Sequence, residues 1–196
     1  MATTRTAKQQ QKLNERLFNA AEKGDVPAIK QALLDGAIIN ARDSFRYTSL
    51  HYTAHHGHTD AMKVLLEAGA KVDVRDGEQN TPLHWAAHNG YDNLTKVLLA
   101  VGADLTLKDK DNKTPIDQAR KKGQRTLVDY LQYIVDNPEN RPTPQEVGFD
   151  INKRNTALKA LGKPITKPII GEHTAKVLTG MEAQRQAALN DPSEGI

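Results

Sequence analysis

Two pairs of histidines have a spacing that could support metal chemistry. His51 and His55 are four residues apart, and so are His84 and His88. Side chains four apart lie on one face of an α-helix, so the four imidazoles could face a single groove, as ligands of a zinc ion would. No Asp, Glu or Cys of the same units completes a ligand set. A histidine-based, metal-dependent enzyme is therefore the alternative that the sequence favours least.

Other catalytic constellations are not visible in the sequence. The chain has no cysteine, which excludes disulfide scaffolds, thiolate zinc sites and cysteine nucleophiles. No nucleophile triad, phosphate-binding glycine loop, paired catalytic carboxylates or dinucleotide fingerprint can be recognised. We therefore predict that the protein is not an enzyme and has no catalytic residue, no metal and no cofactor.

The elements that position these side chains belong to an internal repeat. Glycines recur every 33 residues at Gly24, Gly57, Gly90 and Gly123. The same interval separates three Gly-Ala pairs, which begin at Gly36, Gly69 and Gly102. Such self-similarity at a fixed period is the signature of a stacked repeat architecture.

Each unit is predicted to contain two helices. Thr81-Pro82 supplies an N-cap hydroxyl and a proline at the first helical position, and Gly90 ends this short first helix. A second, amphipathic helix follows and stops at Gly102. Neither helix of one unit can bury its apolar face alone, so neighbouring units must stack.

The clearest unit resembles the ankyrin-repeat consensus. It reads TPLHWAAHNG over residues 81–90, then VLL over 97–99 and GAD over 102–104. The resemblance covers 13–135 in about four repeats, of which the first and last are atypical, as terminal caps are. It implies an all-α repeat solenoid of helix-turn-helix units with short β-hairpin loops and a concave face of first helices. It also implies that His51 and His84 are structural hydrogen-bonding residues.

The remaining segments have no ankyrin match. Residues 1–12 form a polar extension without the apolar core of a secretory signal. Residues 136–196 contain several prolines and are predicted to be a loosely ordered tail with short helices at 152–161 and 172–189. A docking peptide, or a segment that folds back onto the array, is the alternative for this tail. No run is long and apolar enough for a membrane span. We expect a cytoplasmic monomer, with nuclear residence or export as an effector left open.

The resemblance implies that the protein binds a partner protein. Positions where the ankyrin consensus is silent lie on the hairpin tips and the first helices, and aromatic residues are enriched among them. The predicted partner-binding residues are Phe45, Tyr47, Tyr52, His55, His56, Glu78, Asn80, Trp85, His88 and Asn89. We predict an adaptor or regulatory scaffold, and a secreted ankyrin-type effector of an intracellular microbe is the alternative.

Nucleic acid and membranes are not expected as partners. Basic residues cluster on the last repeat, among them Lys110, Lys113, Lys121 and Lys122. No aromatic stacking platform accompanies them, and a formal net charge of +3 is small. These lysines could form a site for an acidic partner, but a solvated cap at the exposed end of the stack is the more frequent explanation of such a cluster.

Overall fold

The fold is a stack of four helix pairs. The computed structural model describes residues 6–149, so the helices predicted at 152–161 and 172–189 lie outside the described residues. The eight helices are α1 Ala7–Lys23, α2 Val26–Leu34, α3 Ser49–His56, α4 Thr59–Glu67, α5 Pro82–Asn89, α6 Asp92–Ala100, α7 Pro115–Lys121 and α8 Arg125–Asp136. A 3-10 helix, Pro138–Asn140, follows them. The predicted all-α repeat solenoid is confirmed.

The helices form two layers around one continuous core. The first helices of the pairs (α1, α3, α5 and α7) contact one another more extensively than the second helices do, which places them on the concave side. The core consists mainly of leucine and alanine from both layers, and it runs unbroken from the first pair to the last. None of the helices in the described part of the chain is long and apolar enough to cross a bilayer.

Buried histidines connect the second repeat to the third and the third repeat to the fourth. The Nδ1 atom of His84 accepts hydrogen bonds from the backbone N–H of Thr81 at 3.1 Å and from its hydroxyl at 2.9 Å. This arrangement leaves the proton on Nε2, which donates to the backbone oxygen of Lys113 in the following repeat at 3.1 Å. His51 makes the same bonds with Thr48 and with the oxygen of Asn80. Burial lowers the pKa of both histidines.

The last repeat replaces this histidine with aspartate. Oδ2 of Asp117 accepts from the backbone N–H of Thr114 at 3.0 Å and from its hydroxyl at 2.8 Å. No further repeat follows α8 within residues 6–149, so there is no carbonyl for the second nitrogen of an imidazole to reach. A carboxylate therefore caps α7 as well as a histidine would.

The loops that the resemblance implied as β-hairpins are tight turns, because no β-strand occurs among residues 6–149. In the second turn the backbone N–H of Asp76 donates to the oxygen of Asn80 at 2.9 Å. Oδ1 of Asp76 then accepts the N–H groups of Glu78 and Asn80 at 2.9 and 2.8 Å. The aspartate side chain thus takes the hydrogen bonds that a strand ladder would otherwise make.

Both ends of the array extend beyond the segments predicted from the sequence. Helix α1 begins at Ala7 because Thr6 and Gln9 form a capping box ahead of it. At the other end, residues 137–149 lie against the array: Arg141 donates to the oxygen of Ala103 at 3.0 Å, and Phe149 is 4% exposed within the core. The prolines of this segment suggested a loose tail, but a 3-10 helix and turns are enough to dock these residues on the array.

We expect Ser49→Pro to raise the free energy of unfolding by about 1–3 kcal/mol. Ser49 is buried and its hydroxyl has no hydrogen-bond partner, whereas the equivalent positions carry Pro82 and Pro115. Proline removes the orphaned hydroxyl and restricts the unfolded chain at a first helical position that tolerates it. Urea denaturation followed by circular dichroism measures the change.

The matched variant Ser49→Ala separates the two contributions. It removes the hydroxyl without the ring, so it should recover only part of the gain. A Ser49→Pro protein less stable than the parent would contradict the equivalence of the three helix starts.

Candidate functional site

Three aspartates connect the turns to the first helices. The turns comprise residues 43–47, 76–80 and 109–113 and are called the hairpin tips below. Oδ2 of each aspartate accepts from a side chain nine residues later. The three bonds are Tyr52 Oη to Asp43 at 2.6 Å, Trp85 Nε1 to Asp76 at 3.0 Å, and Gln118 Nε2 to Asp109 at 2.6 Å. Tyr52 and Trp85, predicted to bind a partner, therefore also hold their own tips in place.

The structure brings five of the predicted residues into one cluster of rings. Tyr47 lies 5.6 Å from Tyr52 and 5.9 Å from Trp85, both edge-on. Trp85 lies 4.9 Å from His55 and 5.9 Å from His88, measured between ring centroids. Such edge-on spacings are favourable for aromatic pairs. We call these five residues the ring cluster.

Partial burial changes the acidity of the tyrosines in the ring cluster. Desolvation and the nearby carboxylates of Asp76 and Asp43 raise the pKa of Tyr47 to about 12. The pKa of Tyr52 is also raised, through burial and its hydrogen bond to Asp43. Both hydroxyls therefore stay protonated at physiological pH, and that of Tyr52 donates to Asp43.

Phe45 is the most exposed aromatic side chain of the site. It stands on the first hairpin tip and is 72% exposed. Its backbone is nevertheless held on both sides: its N–H donates to Asp43 at 2.9 Å, and its oxygen accepts from the N–H of Gly77 on the next tip at 3.0 Å. The side chain is thus presented to solvent from a fixed position.

The polar residues predicted for the site differ in their availability. Glu78 is exposed on the second tip and forms an ion pair with Lys110 at 3.2 Å. Asn80 is half-buried and serves the array, because its N–H and side-chain amide bind Asp76 and its oxygen accepts from His51. Asn89 donates to the oxygen of His55 at 3.1 Å. His56 is exposed beside His55, with ring centroids 4.8 Å apart.

No metal centre is formed by these histidines. Residues 6–149 contain no group of three or more His, Cys, Asp or Glu side chains placed to hold a metal ion. His51 and His84 use both ring nitrogens in the hydrogen bonds between repeats. They therefore cannot join His55 and His88 as ligands without breaking the stack.

Comparison with protein families agrees with this geometry. A family model described as ankyrin repeats (3 copies) matches residues 17–109 and 78–155. The chain belongs to the ankyrin-repeat family. Ankyrin repeats are generally protein–protein interaction modules and typically have no enzymatic activity. No curated protein matches the chain in sequence.

Two features of this ankyrin array were not predicted from the sequence. The aspartate bonds to positions nine residues later were missed, although both series keep the interval of 33 and could have been paired on that basis. The docking of residues 137–149 was left open as an alternative to a loose tail, because a single buried aromatic residue, Phe149, gives no periodic signal.

Proposed function

We propose that this ankyrin array is an adaptor or regulatory scaffold that binds a partner protein through its concave first helices and hairpin tips. The observation that carries the proposal is Phe45, a large aromatic side chain 72% exposed on a backbone fixed by hydrogen bonds. Exposing such a side chain on a rigid turn has no folding benefit, whereas a fixed aromatic anchor loses little entropy on binding.

The ring cluster supports the same surface as the interface. Tyr47 lies on the same tip as Phe45, and its ring contacts Tyr52 and Trp85 on the first helices. Phe45 therefore shares its tip with one member of a half-buried aromatic cluster. Tyrosine and tryptophan are enriched at interface hot spots. Monomeric state and cytoplasmic location stay predictions.

We expect Phe45→Ala to weaken partner binding by about 2 kcal/mol or more, which is roughly thirtyfold in the dissociation constant. The partner is first captured with the intact chain and identified, and both proteins are then purified and titrated. Because the side chain is largely exposed, the melting temperature of the variant should equal that of the parent. Phe45 is preferred to Trp85, whose removal also breaks the bond to Asp76.

The control is Leu34→Ala. Leu34 is comparably exposed, at 63%, but ends a second helix in the other layer. It should bind like the parent. If Phe45→Ala and the parent bind the partner equally, the tips and the ring cluster are not the interface.

A further inference from the structure

The C-terminal ends of the first helices carry charged residues and histidines at two equivalent positions in each of the four repeats. Positions equivalent to His55 hold Glu22, His55, His88 and Lys121. Positions equivalent to His56 hold Lys23, His56, Asn89 and Lys122. These eight positions therefore contain one carboxylate, three ammonium groups and three imidazoles. The imidazoles decide how positive this surface is, because they alone titrate near physiological pH.

Three histidines form a compact row on this surface, which we call the histidine row: His55, His56 and His88. The centroid distances are 4.8 Å between His55 and His56, 4.9 Å between His55 and Trp85, and 5.9 Å between Trp85 and His88. His55 and His56 are exposed and His88 is half-buried. Among residues 6–149, the one hydrogen bond between repeats that these rings make joins Nδ1 of His88 and Oε1 of Gln118 at 3.3 Å. His51 and His84, in contrast, use both ring nitrogens.

We infer that the histidine row binds an acidic segment of the partner protein and that this binding strengthens as the row takes up protons. The inference rests on the proposed function, because it specifies the chemistry of the partner at the same concave surface. An acidic peptide is the fitting ligand because lysines border the row on the last repeat, and Glu22 is the one carboxylate among the eight equivalent positions.

Repulsion within the row is what couples proton uptake to binding. The pKa of His55 is lowered by desolvation first, and then by His56 and His88. Charging all three imidazoles in the free protein is therefore unfavourable. Carboxylates brought by a partner relieve this repulsion, so the bound state holds more protons than the free state. The Trp85 ring, within 6 Å of two of these imidazoles, adds a cation–π contribution when they are charged.

The remaining groups that face the row act in opposite directions. From α1, the carboxylate of Glu22 raises the pKa of His55 but repels an acidic ligand. His58, which precedes α4, stacks on His56 at 6.0 Å, and its Nε2 bonds to the backbone oxygen of Glu22. Gln118 of α7 is neutral. The favourable approach for an acidic segment therefore runs from α3 towards the lysines that follow Gln118.

The test is a titration of the full chain with a fluorescent oligoglutamate peptide, with oligoglutamine as the uncharged control. Fluorescence anisotropy gives the affinity at several values between about pH 7.5 and about pH 5.5, where free histidine titrates. We expect the affinity for oligoglutamate to rise by up to about tenfold per pH unit for each proton taken up. Circular dichroism at each pH establishes that the array stays folded.

Lysine substitution provides the sharper variant. Lys121 shows that the array accepts lysine at the register of His88. The double variant His55→Lys, His88→Lys should bind oligoglutamate at about pH 7.5 more tightly than the parent does at that pH, and with a smaller pH dependence, because His56 is the one histidine of the row that it keeps. His55→Gln, His88→Gln should lose most of the tightening for the same reason. Lys30→Gln, an exposed charge change on α2, should behave like the parent.

Three results would overturn the inference: no oligoglutamate binding at any pH, unchanged pH dependence in the glutamine variant, or tighter binding of a single-stranded oligonucleotide of equal charge. The last would indicate a nucleic acid as the ligand. The experiments distinguish a failure of the acidic-ligand inference from a failure of the proposed function. A captured partner that requires Phe45 but binds equally well at both ends of the pH range leaves the proposed function in place and removes only the acidic, proton-linked ligand.

Discussion

We expect Leu98→Ala to lower the free energy of unfolding by about 2–5 kcal/mol. Leu98 lies on α6, is 0% exposed, and shares the core with Leu65 and Leu131, its equivalents one repeat away on each side. Truncation leaves a cavity between layers that adjoining repeats hold apart, so the loss combines transfer free energy with unfilled volume. Urea denaturation followed by circular dichroism measures it.

The same chemical change at Leu34 is the control. Leu34 is 63% exposed, so Leu34→Ala should alter stability by less than about 0.5 kcal/mol. Equal stabilities for Leu98→Ala and the parent would show that the register of the second helices is wrong.

Acid should destabilise the array through His51 and His84. Their pKa values in the folded protein lie below the usual 6.5 because of burial. Above about pH 6.5 both histidines are neutral in the folded and in the unfolded protein, so they do not change the free energy of unfolding. As the pH falls below about 6.5, the unfolded chain binds protons that the folded chain does not. Stability then drops by at most about 1.4 kcal/mol per pH unit for each histidine.

One buried carboxylate opposes this loss. Burial raises the pKa of Asp73 to about 6, so the folded state binds a proton there before the unfolded state does. Protonation of Asp73 therefore stabilises the folded protein as the pH falls from about 6 towards the pKa of an aspartate in the unfolded chain. Between about pH 6.5 and about pH 6 the two histidines act alone and stability falls, whereas below about pH 6 the aspartate offsets part of their effect.

Glutamine variants test the assignment. His51→Gln, His84→Gln is less stable at neutral pH, since the bonds to Asn80 and Lys113 are altered, but its acid slope should be smaller or reversed. His56→Gln, an exposed change on the same helix as His51, should keep the slope of the parent. If the double variant keeps the parent's slope, other groups cause the acid transition.

The repeat architecture was predictable because each unit has the same residue types at the ends of its first helix. Threonine before a helix and glycine after it recur at one interval, as in Thr81 and Gly90, and both act where the sequence placed them, as N-cap and left-handed C-cap. The tertiary fold follows because stacking is local. What lies outside the period was harder to predict: Phe149 docks on the array without any repeated signal.

The sequence indicated the surface on which the candidate site lies, but not the hydrogen bonds within that site. Silent consensus positions indicated which side chains face outwards, and Phe45 is indeed exposed. The sequence could not show that Trp85 is held by Asp76 or that Asn80 serves the next histidine, because these are contacts between turns and helices. Residue type alone does not distinguish an anchor for a partner from a bond within the fold.

The exchange of histidine for aspartate at Asp117 also bears on how such a chain can be lengthened in evolution. A unit with the imidazole of His84 needs a successor to accept its second hydrogen bond, whereas the unit with Asp117 needs none. Duplicating an internal unit therefore creates two valid junctions. Adding a unit after α8 leaves its turn without an imidazole donor from the preceding repeat, as at the first junction, where Phe18 takes the place of the histidine, and it must also displace residues 137–149. New units are therefore accommodated more readily in the middle of this array than after α8.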